Sequence, residues 1–242
     1  MPHFFVSTDN VTGGRFVLGP EESGHLVRVL RRKVGDVIGL FDGKDTSWRG
    51  TIDRATPTRV EGVVSSEVKG TERRLTVRLL QGLPRGERFE WVLEKATELG
   101  VAEIVPVLTR RSVATVPSER VGSKMERWNK IVRAAAQQCG RVDCPRVVAP
   151  ISFTEAVGGV SPQELILMAW EGENEKPLRD VLRLKSEVRA VNVMIGPEGG
   201  FDPSEVVQAQ NAGAVTVSLG SRILRTETAG LFVLSVLNYE YD

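Results

Sequence analysis

Short apolar runs alternate with amphipathic segments from residue 75 to the end of the chain, and this alternation restricts the possible folds more than any other feature. The segments between the runs repeat apolar residues at intervals of three and four, as in the helix predicted over 88–100. Strands that alternate with helices favour an α/β fold with a parallel sheet covered by helices on both faces. The predicted strands are LTVRLLQG (75–82), VAEIVPVLT (101–109), ELILMAW (164–170), AVNVMIG (190–196) and AVTVSLG (214–220).

The first 70 residues follow a different pattern, in which short β-type runs are divided by Gly, Asp and Pro. Examples are RFVLG, DVIGLFDG, SWRGTIDRA and TRVEGVVSSEV. This rhythm predicts a small barrel or curled sheet, interrupted by one helix at GPEESGHLVRVLRR (19–32). The polar stretch KGTERR (69–74) is typical of a linker. We therefore predict two domains, at residues 1–70 and 74–242.

The bulk composition narrows the classes of function. The chain has 242 residues and a formal net charge of +1, so a nucleic-acid surface has to come from local clusters of basic residues. The two cysteines, Cys139 and Cys144, indicate a reducing compartment and two free thiols, and we predict no metal site. The N-terminus has no signal-peptide pattern and no apolar run approaches the ~20 residues of a membrane span, which predicts a cytoplasmic protein.

The stretch NVMIGPEGGFDPSEV (192–206) places a carboxylate, Glu198, between a proline and two glycines where a predicted strand ends. Asp202 is a natural N-cap for the following helix, and Glu205 completes a capping-box pattern. Ligands bind at such strand-to-helix loops in open α/β sheets, where the first N–H groups of the helix are free. The loop carries neither the G-x-G-x-x-G pattern of dinucleotide-binding folds nor the lysine of a Walker loop. A tight corner without a ligand is the alternative.

Two further strand ends carry the same kind of residues. SLGSRILRTETAG (218–230) combines glycine, arginines and a glutamate with two apolar residues, Ile223 and Leu224. These two suit a flat, partly apolar ligand such as an adenine ring, although docking of the loop onto the core would also explain them. MAWEGENEK (168–176) carries Trp170 and two acids, Glu171 and Glu173. Three such strand ends together indicate a ligand site.

The motifs IGPEGGF, LGSRILRTETA and LEKATELGV, with RW followed by AAAQQ, resemble the small-subunit ribosomal RNA uracil-N3 methyltransferase family. This family belongs to the SPOUT class of S-adenosylmethionine-dependent enzymes, and the resemblance extends from HLVRVLR (25–31) to the last helix. It implies a PUA-like RNA-binding β-barrel, a SPOUT-type parallel sheet with a trefoil knot, and a homodimer. The implied reaction is methylation of N3 of a uridine in small-subunit (16S) ribosomal RNA, free or in the assembled subunit.

The resemblance places S-adenosylmethionine in three loops, at 167–171, 195–200 and 219–228. The acid of the middle loop has two open roles: it contacts the ribose or the sulfonium, or it accepts nearby N–H groups and fixes the loop. The cofactor-binding residues implied are Leu167, Met168, Ala169, Trp170, Glu171, Ile195, Gly196, Pro197, Glu198, Gly199, Gly200, Leu219, Gly220, Ile223, Leu224, Arg225 and Thr228.

The candidate catalytic residues are Arg225, which would stabilise negative charge on the uracil oxygens, and Glu227, which would orient Arg225 or act as a base. A helix N-terminal carboxylate is the simpler explanation for Glu227. Lys124, Arg127, Lys130 and Arg133 recur every three residues and predict a basic stripe on one helix, for phosphates or only for solvent. A non-catalytic RNA-binding or ribosome assembly protein on the same fold is the alternative function. The RNA-binding candidates are Arg28, Arg31, Arg32, Lys33, Arg110, Arg111, Arg127 and Arg133.

Overall fold

The computed structural model describes residues 1–69, 74–184 and 188–241. It divides into two compact units, one of Met1–Glu72 with Arg133–Cys144 and one of Arg73–Val132 with Pro145–Asp242. Residues 70–73, which make up most of the predicted linker at 69–74, lie outside the described residues. The domain boundaries at 1–70 and 74–242 stay a prediction.

The first unit contains a six-stranded sheet, with the strand order β1-β4-β5-β6-β3-β2. Its pairs are antiparallel except for β1 and β4, which run parallel. Phe4, Phe16, Leu26 and Ile38 are fully buried in its core. The sequence did not predict β1 and β2, which have only three and two residues. The strands are β1 (His3–Phe5), β2 (Val11–Thr12), β3 (Arg15–Leu18), β4 (Val37–Phe41), β5 (Thr46–Thr56) and β6 (Arg59–Lys69).

The helix predicted over 19–32 is shorter and less regular than expected. It consists of α1 (Pro20–Gly24) and a π-helical turn (His25–Val29). Arg31 then adopts a positive φ of 52°, which is incompatible with a continuing right-handed helix. Both cysteines are free, as predicted, and burial raises the pKa of the Cys144 thiol to about 11.

The second unit is the predicted α/β fold, which is confirmed: its seven-stranded sheet is parallel throughout. The strand order is β10-β8-β7-β12-β11-β13, and β9 pairs with β8. The strands are β7 (Thr76–Gly82), β8 (Glu103–Leu108), β9 (Arg146–Val147), β10 (Ile151–Ser152), β11 (Leu165–Ala169), β12 (Ala190–Ile195) and β13 (Val215–Val217). The helices are α2 (Arg88–Glu98), α3 (Ser118–Cys139), α4 (Phe153–Gly158), α5 (Leu178–Arg183), α6 (Pro203–Asn211) and α7 (Thr226–Tyr241). Residues 133–139 of α3 belong to the first unit.

Two hydrophobic clusters cover the two faces of this sheet, because successive strand residues point to opposite sides. Leu167 of β11 belongs to the cluster packed with α2, α5 and α7, whereas its neighbour Met168 packs with α4 and α6. Burial on both faces explains why the strand sequences are continuously apolar. Within the described residues, no helix is both long and apolar enough to cross a membrane.

Four adjacent strands bring their carboxyl ends to one edge of the sheet. Gln81, Ile195, Ala169 and Val217 lie side by side in register across β7, β12, β11 and β13. The loops that follow these strands therefore start from neighbouring positions. The loop after β12 passes into α6, where the Asp202 side chain accepts the N–H of Ser204 in the predicted capping box.

Candidate functional site

A cavity of about 470 Å³ lies at this edge of the sheet, in the second unit. The loops after β11, β12 and β13 form its wall together with the first turn of α7 and the side chain that begins α2. The three strand ends singled out in the sequence therefore meet at one site. Its lining residues are Arg88, Ala169, Trp170, Glu171, Glu173, Asn174, Ile195, Gly196, Pro197, Glu198, Gly200, Phe201, Val217, Ser218, Leu219, Gly220, Ser221, Arg222, Ile223, Leu224, Arg225, Thr226, Glu227 and Ala229.

Most of the predicted cofactor residues line this cavity, and four do not. Leu167 and Met168 are fully buried inside β11 and form part of the two cores, because the strand continues to Ala169. Gly199 lines an adjoining open groove of about 1180 Å³ instead. Thr228 lies on the exposed side of the first turn of α7. The structure therefore gives these four no place on the cavity wall.

Sequence reasoning missed several lining residues, and for most of them a signal existed. They belong to the same three loops and to the helix starts, so a cofactor set drawn from whole loops would have included them. Arg88 is different, because it begins α2, and no motif in the sequence connects it to the loops. The missed residues are Arg88, Glu173, Asn174, Phe201, Val217, Ser218, Ser221, Arg222, Thr226 and Ala229.

Glu198, the acid between proline and glycine, is engaged by the start of α2. Its Oε1 accepts the backbone N–H of Arg85 at 2.9 Å and the Nη1 donor of Arg88 at 2.8 Å. Partial burial raises the pKa of Glu198, but the N–H of Arg85 and the charge of Arg88 outweigh it, and the net pKa is below the ordinary value. These contacts fix the loop, while contact of Glu198 with the ribose or the sulfonium stays a prediction.

A buried hydrogen-bond chain joins β7, α7 and the loop after β12. Gln81 is fully buried, and its Nε2 donates to Thr226 Oγ1 at 2.8 Å. Thr226 in turn donates to the carbonyl oxygen of Gly196. The two loops that face each other across the cavity are therefore connected through the end of β7.

The two candidate catalytic residues have different surroundings. Glu227 is mostly buried, and its Oε1 lies 4.0 Å from Nε of Arg88, so it faces Arg88 rather than Arg225. The side chain of Arg225 is exposed on the cavity wall, and no side-chain partner is found for it among the described residues. Glu227 was expected to orient Arg225, but the guanidinium group that lies beside it is that of Arg88.

The loop after β8 supports the cofactor loop through backbone contacts. The N–H of Arg110 donates to the buried carboxylate of Glu205 at 2.8 Å. The guanidinium of Arg111 donates to the carbonyl oxygen of Gly199 at 3.1 Å and lies 3.9 Å from Asp202. The side chain of Arg111 thus has a structural function in addition to the predicted RNA contact, whereas Arg110 contributes only its backbone N–H.

The basic residues of the first unit form an exposed cluster around the π-helical turn. Arg28, Arg31 and Lys33 are exposed, whereas Arg32 is half-buried and lies 3.8 Å from Asp36. The three exposed side chains remain available for phosphate groups.

The predicted basic stripe on α3 does not form. A step of three residues turns an α-helix by ~300°, so residues 124 and 133 project to opposite sides. Lys124 lies 5.7 Å from the ring centre of Trp128, whereas the guanidinium of Arg133 stacks 3.9 Å above the ring of Phe5. Arg127 pairs with Glu90 at 2.6 Å. Lys124 and Arg133 therefore cannot belong to one stripe, and the charge of Arg127 is already paired.

The cavity has the size and composition of a small-molecule site. Sites for such ligands span ~300–1,000 Å³ and combine apolar walls with a few polar groups. Here Ile195, Ile223 and Leu224 supply apolar surface beside backbone groups of glycine. Adenine, ribose and a charged amino-acid tail match this mixture, so the residues fit S-adenosylmethionine. No group of three metal-ligating side chains lies within residues 1–69, 74–184 and 188–241.

Two family models match the chain. One is described as an RNA methyltransferase domain and matches residues 71–238; the other is described as an RNA methyltransferase PUA domain and matches residues 18–65. The chain is 30% identical to ribosomal RNA small subunit methyltransferase E of Bacillus subtilis over 232 residues, which covers 94% of this chain and 91% of that protein. It is 32% identical to the protein of the same name from Synechocystis, covering 96% of this chain and 76% of the relative.

A solved structure is similar along the whole chain. It is a ribosomal RNA small subunit methyltransferase E from Neisseria gonorrhoeae bound to S-adenosyl methionine. The TM-score is 0.88 and the sequence identity 32%, with 99% of this chain and 97% of that chain covered. The PUA-like N-terminal domain and the methyltransferase domain expected from the sequence are confirmed, while the trefoil knot stays a prediction.

Proposed function

The chain belongs to the RNA methyltransferase family of the ribosomal RNA small subunit methyltransferase E proteins, and we propose that it methylates N3 of a uridine in small-subunit (16S) ribosomal RNA with S-adenosylmethionine as the methyl donor. The observation that carries this proposal is the meeting of three separate strand-to-helix loops at one cavity. The relative from Neisseria gonorrhoeae, which is similar over 99% of this chain, binds S-adenosyl methionine.

The loops of the cavity would hold the cofactor with backbone groups and apolar side chains. Glycines at 196, 200 and 220 leave room for backbone N–H and C=O groups to approach the ligand. Ile223 and Leu224 would cover an adenine face, and Ile223 is among the most exposed apolar residues of the chain. Glu171 also lines the cavity, and its carboxylate has no hydrogen-bond or ion-pair partner among the described residues, so it is free to accept ribose hydroxyl groups.

When bound, S-adenosylmethionine supplies an electrophilic methyl carbon on a positively charged sulfur. The acceptor, N3 of uracil, carries a proton that has to leave as the new bond forms, so a positioned acceptor and nearby positive charge lower the barrier. Glu227, Arg88 and Arg225 supply carboxylate and guanidinium groups on the cavity wall. Because N3 is buried in any base pair, the target nucleotide has to be unpaired or turned out of its stack.

The RNA would be held by the exposed basic residues, mainly Arg28, Arg31 and Lys33 of the PUA-like unit, with further contacts from Arg111. Positive side chains bind phosphates without reading sequence, and their contribution falls with salt. As further parts of this proposal, the protein is a cytoplasmic homodimer, its domains are residues 1–70 and 74–242, and the C-terminal domain contains a trefoil knot. The resemblance to the SPOUT class supports these points.

The proposal is tested by methyl transfer from labelled S-adenosylmethionine to small ribosomal subunits from a strain that lacks this protein. A methyl group on N3 blocks the pairing edge of the base, so primer extension should stop one nucleotide before the labelled uridine. Free 16S RNA is assayed beside the assembled subunit, which identifies the substrate form.

The outcomes separate the possible functions. Transfer of labelled methyl groups to the RNA, together with a new stop in primer extension, establishes the reaction and the nucleotide. Label without a stop contradicts N3 as the acceptor and indicates a ribose or a non-pairing atom. If neither appears and calorimetric titration detects no cofactor binding, the proposal is wrong and the non-catalytic RNA-binding function replaces it.

A further inference from the structure

Glu227 is a carboxylate on the cavity wall that makes no hydrogen bond with the described residues. Its side chain is 15% exposed, and Oε2 is buried without a partner. The nearest cation to Oε1 is Arg88, at 4.0 Å, which is beyond hydrogen-bond distance. A charged group that is largely removed from water is costly unless a donor satisfies it. The carboxylate of Glu227 is therefore free to accept a hydrogen bond from a ligand.

Arg88 lies beside Glu227 with unused donors. A guanidinium has five N–H groups in a fixed plane, and Arg88 directs Nη1 to Glu198 at 2.8 Å. The salt bridge fixes the side chain, which is nevertheless 43% exposed. Arg88 and Glu198 line both the cofactor cavity and the adjoining open groove. The remaining N–H donors of Arg88 thus lie where the cofactor cavity meets the open groove.

We infer that Arg88 and Glu227 together read the pairing edge of the acceptor base and select uracil, an inference that rests on the proposed function. The pairing edge of uracil presents N3–H between two carbonyl oxygens, O2 and O4, and O4 is the one that cytosine replaces with an amino group. Arg88 donates to O4 while Glu227 accepts the N3–H hydrogen bond. Cytosine presents an amino group beside an unprotonated N3, so Arg88 would face a donor and Glu227 a lone pair. Both contacts become repulsive, which excludes cytosine.

The same pair serves the chemical step. The N3–H bond breaks and the proton passes to the carboxylate of Glu227. The electron pair left on N3 forms the bond to the methyl carbon, and the pair of the broken carbon–sulfur bond leaves with the sulfur. Arg88 stabilises the charge that develops on the neighbouring carbonyl oxygen. Arg225 is less suited to this role, because its exposed side chain would first have to be ordered.

The test compares small subunits that carry either uridine or cytidine at the position found by primer extension. Wild-type protein should methylate the uridine substrate faster by on the order of 10- to 100-fold, the discrimination expected of a paired base contact. Glu227→Gln should be slower on uridine, because the amide cannot take the N3 proton. Transfer to cytidine does not use the carboxylate, so the discrimination should fall with the uridine rate. Arg88→Gln should lower kcat on uridine about 100-fold, and Arg88→Lys should restore part of it.

The control is Arg146→Gln, a substitution of an exposed arginine at the amino end of β9, on the opposite edge of the sheet from the cavity; kcat and discrimination should match the wild type. Cofactor affinity, measured by calorimetric titration without RNA, should stay within about threefold in Glu227→Gln, because the loop keeps its contacts with Arg85, Arg111 and Thr226. The Arg88 variants lose the contact with Glu198, so their kcat is measured at saturating cofactor. Retained discrimination in Glu227→Gln, or normal kcat in Arg88→Gln, would overturn the inference while leaving the methyltransferase in place. A wild-type protein that transfers no methyl group would overturn both.

Discussion

Gly82, the last residue of β7, packs directly against the cofactor loop, so Gly82→Ala should damage both stability and cofactor binding. A Cβ at this position would lie 2.5 Å from Pro197 N, 2.7 Å from Pro197 Cδ and 2.8 Å from the carbonyl carbon of Gly196. All three atoms belong to the backbone or to a rigid ring, so no flexible side chain can move aside. Overpacking of this kind costs about 1–3 kcal/mol.

This cost predicts two measurable effects. For a protein of this size, each kcal/mol lowers Tm by about 2–4 °C, so the melting temperature should fall by about 2–12 °C. Because the displaced atoms form the cavity wall, the Kd for S-adenosylmethionine should rise at least ~10-fold, equivalent to ~1.4 kcal/mol. Differential scanning calorimetry and calorimetric titration measure the two quantities.

Gly122→Ala is the matched control for this prediction. Gly122 lies within α3, and a Cβ added there meets no atom within 4 Å. Alanine in a helix interior should stabilise the protein by about 0.5–1 kcal/mol. If Gly82→Ala kept the wild-type Tm and cofactor affinity, the close approach of β7 to the loop would not constrain the site. A lowered Tm with unchanged affinity would show that the loop relaxes without deforming the cavity.

Three further perturbations test the contacts around the site. Thr226→Val removes the hydroxyl that accepts from Gln81 and donates to the carbonyl oxygen of Gly196, and should lower the free energy of unfolding by about 1–3 kcal/mol in urea titration, whereas Thr226→Ser should not. The lowered pKa of Glu198 stabilises the fold above the ordinary carboxyl pKa of 4.5, and this contribution disappears as the pH falls through the lowered pKa. The urea midpoint of Glu198→Gln should therefore decline less steeply with falling pH than the midpoint of the wild type. Equal slopes would contradict this prediction. Arg31→Gln should reduce the slope of log affinity for RNA against log salt by about 0.7–0.9. Arg127→Gln should leave it unchanged, since Glu90 already pairs with Arg127.

The parts of this structure that local sequence determines were predictable. Asp202 and Glu205 form their capping box with residues two and three positions away, so the start of α6 could be assigned from four letters. The strands of the parallel sheet are equally visible, because burial on both faces makes them continuously apolar. The cavity followed from the strand ends, since parallel strands place successive loops at one edge.

The long-range contacts between side chains of the cavity were not predictable in this way. Arg88 and Glu198 are separated by 110 positions, and neither residue type nor spacing connects them. The pairing depends on β7 lying next to β12, which only the strand order reveals. The stripe on α3 failed for a simpler reason: a spacing of three departs from the helical repeat of 3.6 residues. Short elements such as β9 and β10 have two residues each and carry no periodicity.

The composition of the loop after β12 can now be explained by its neighbours rather than by the turn alone. Gly200 has a positive φ of 67°, and a Cβ there would also lie 3.1 Å from the carboxylate of Glu171. A Cβ on Gly199 would lie 3.2 Å from Arg111 Cβ. Pro197 fills the space left by Gly82, and Glu198 reaches across to Arg88. A simple corner would need only one of these residues. A loop that packs closely against Gly82, Arg111 and Glu171, and whose carboxylate pairs with Arg88, needs all of them.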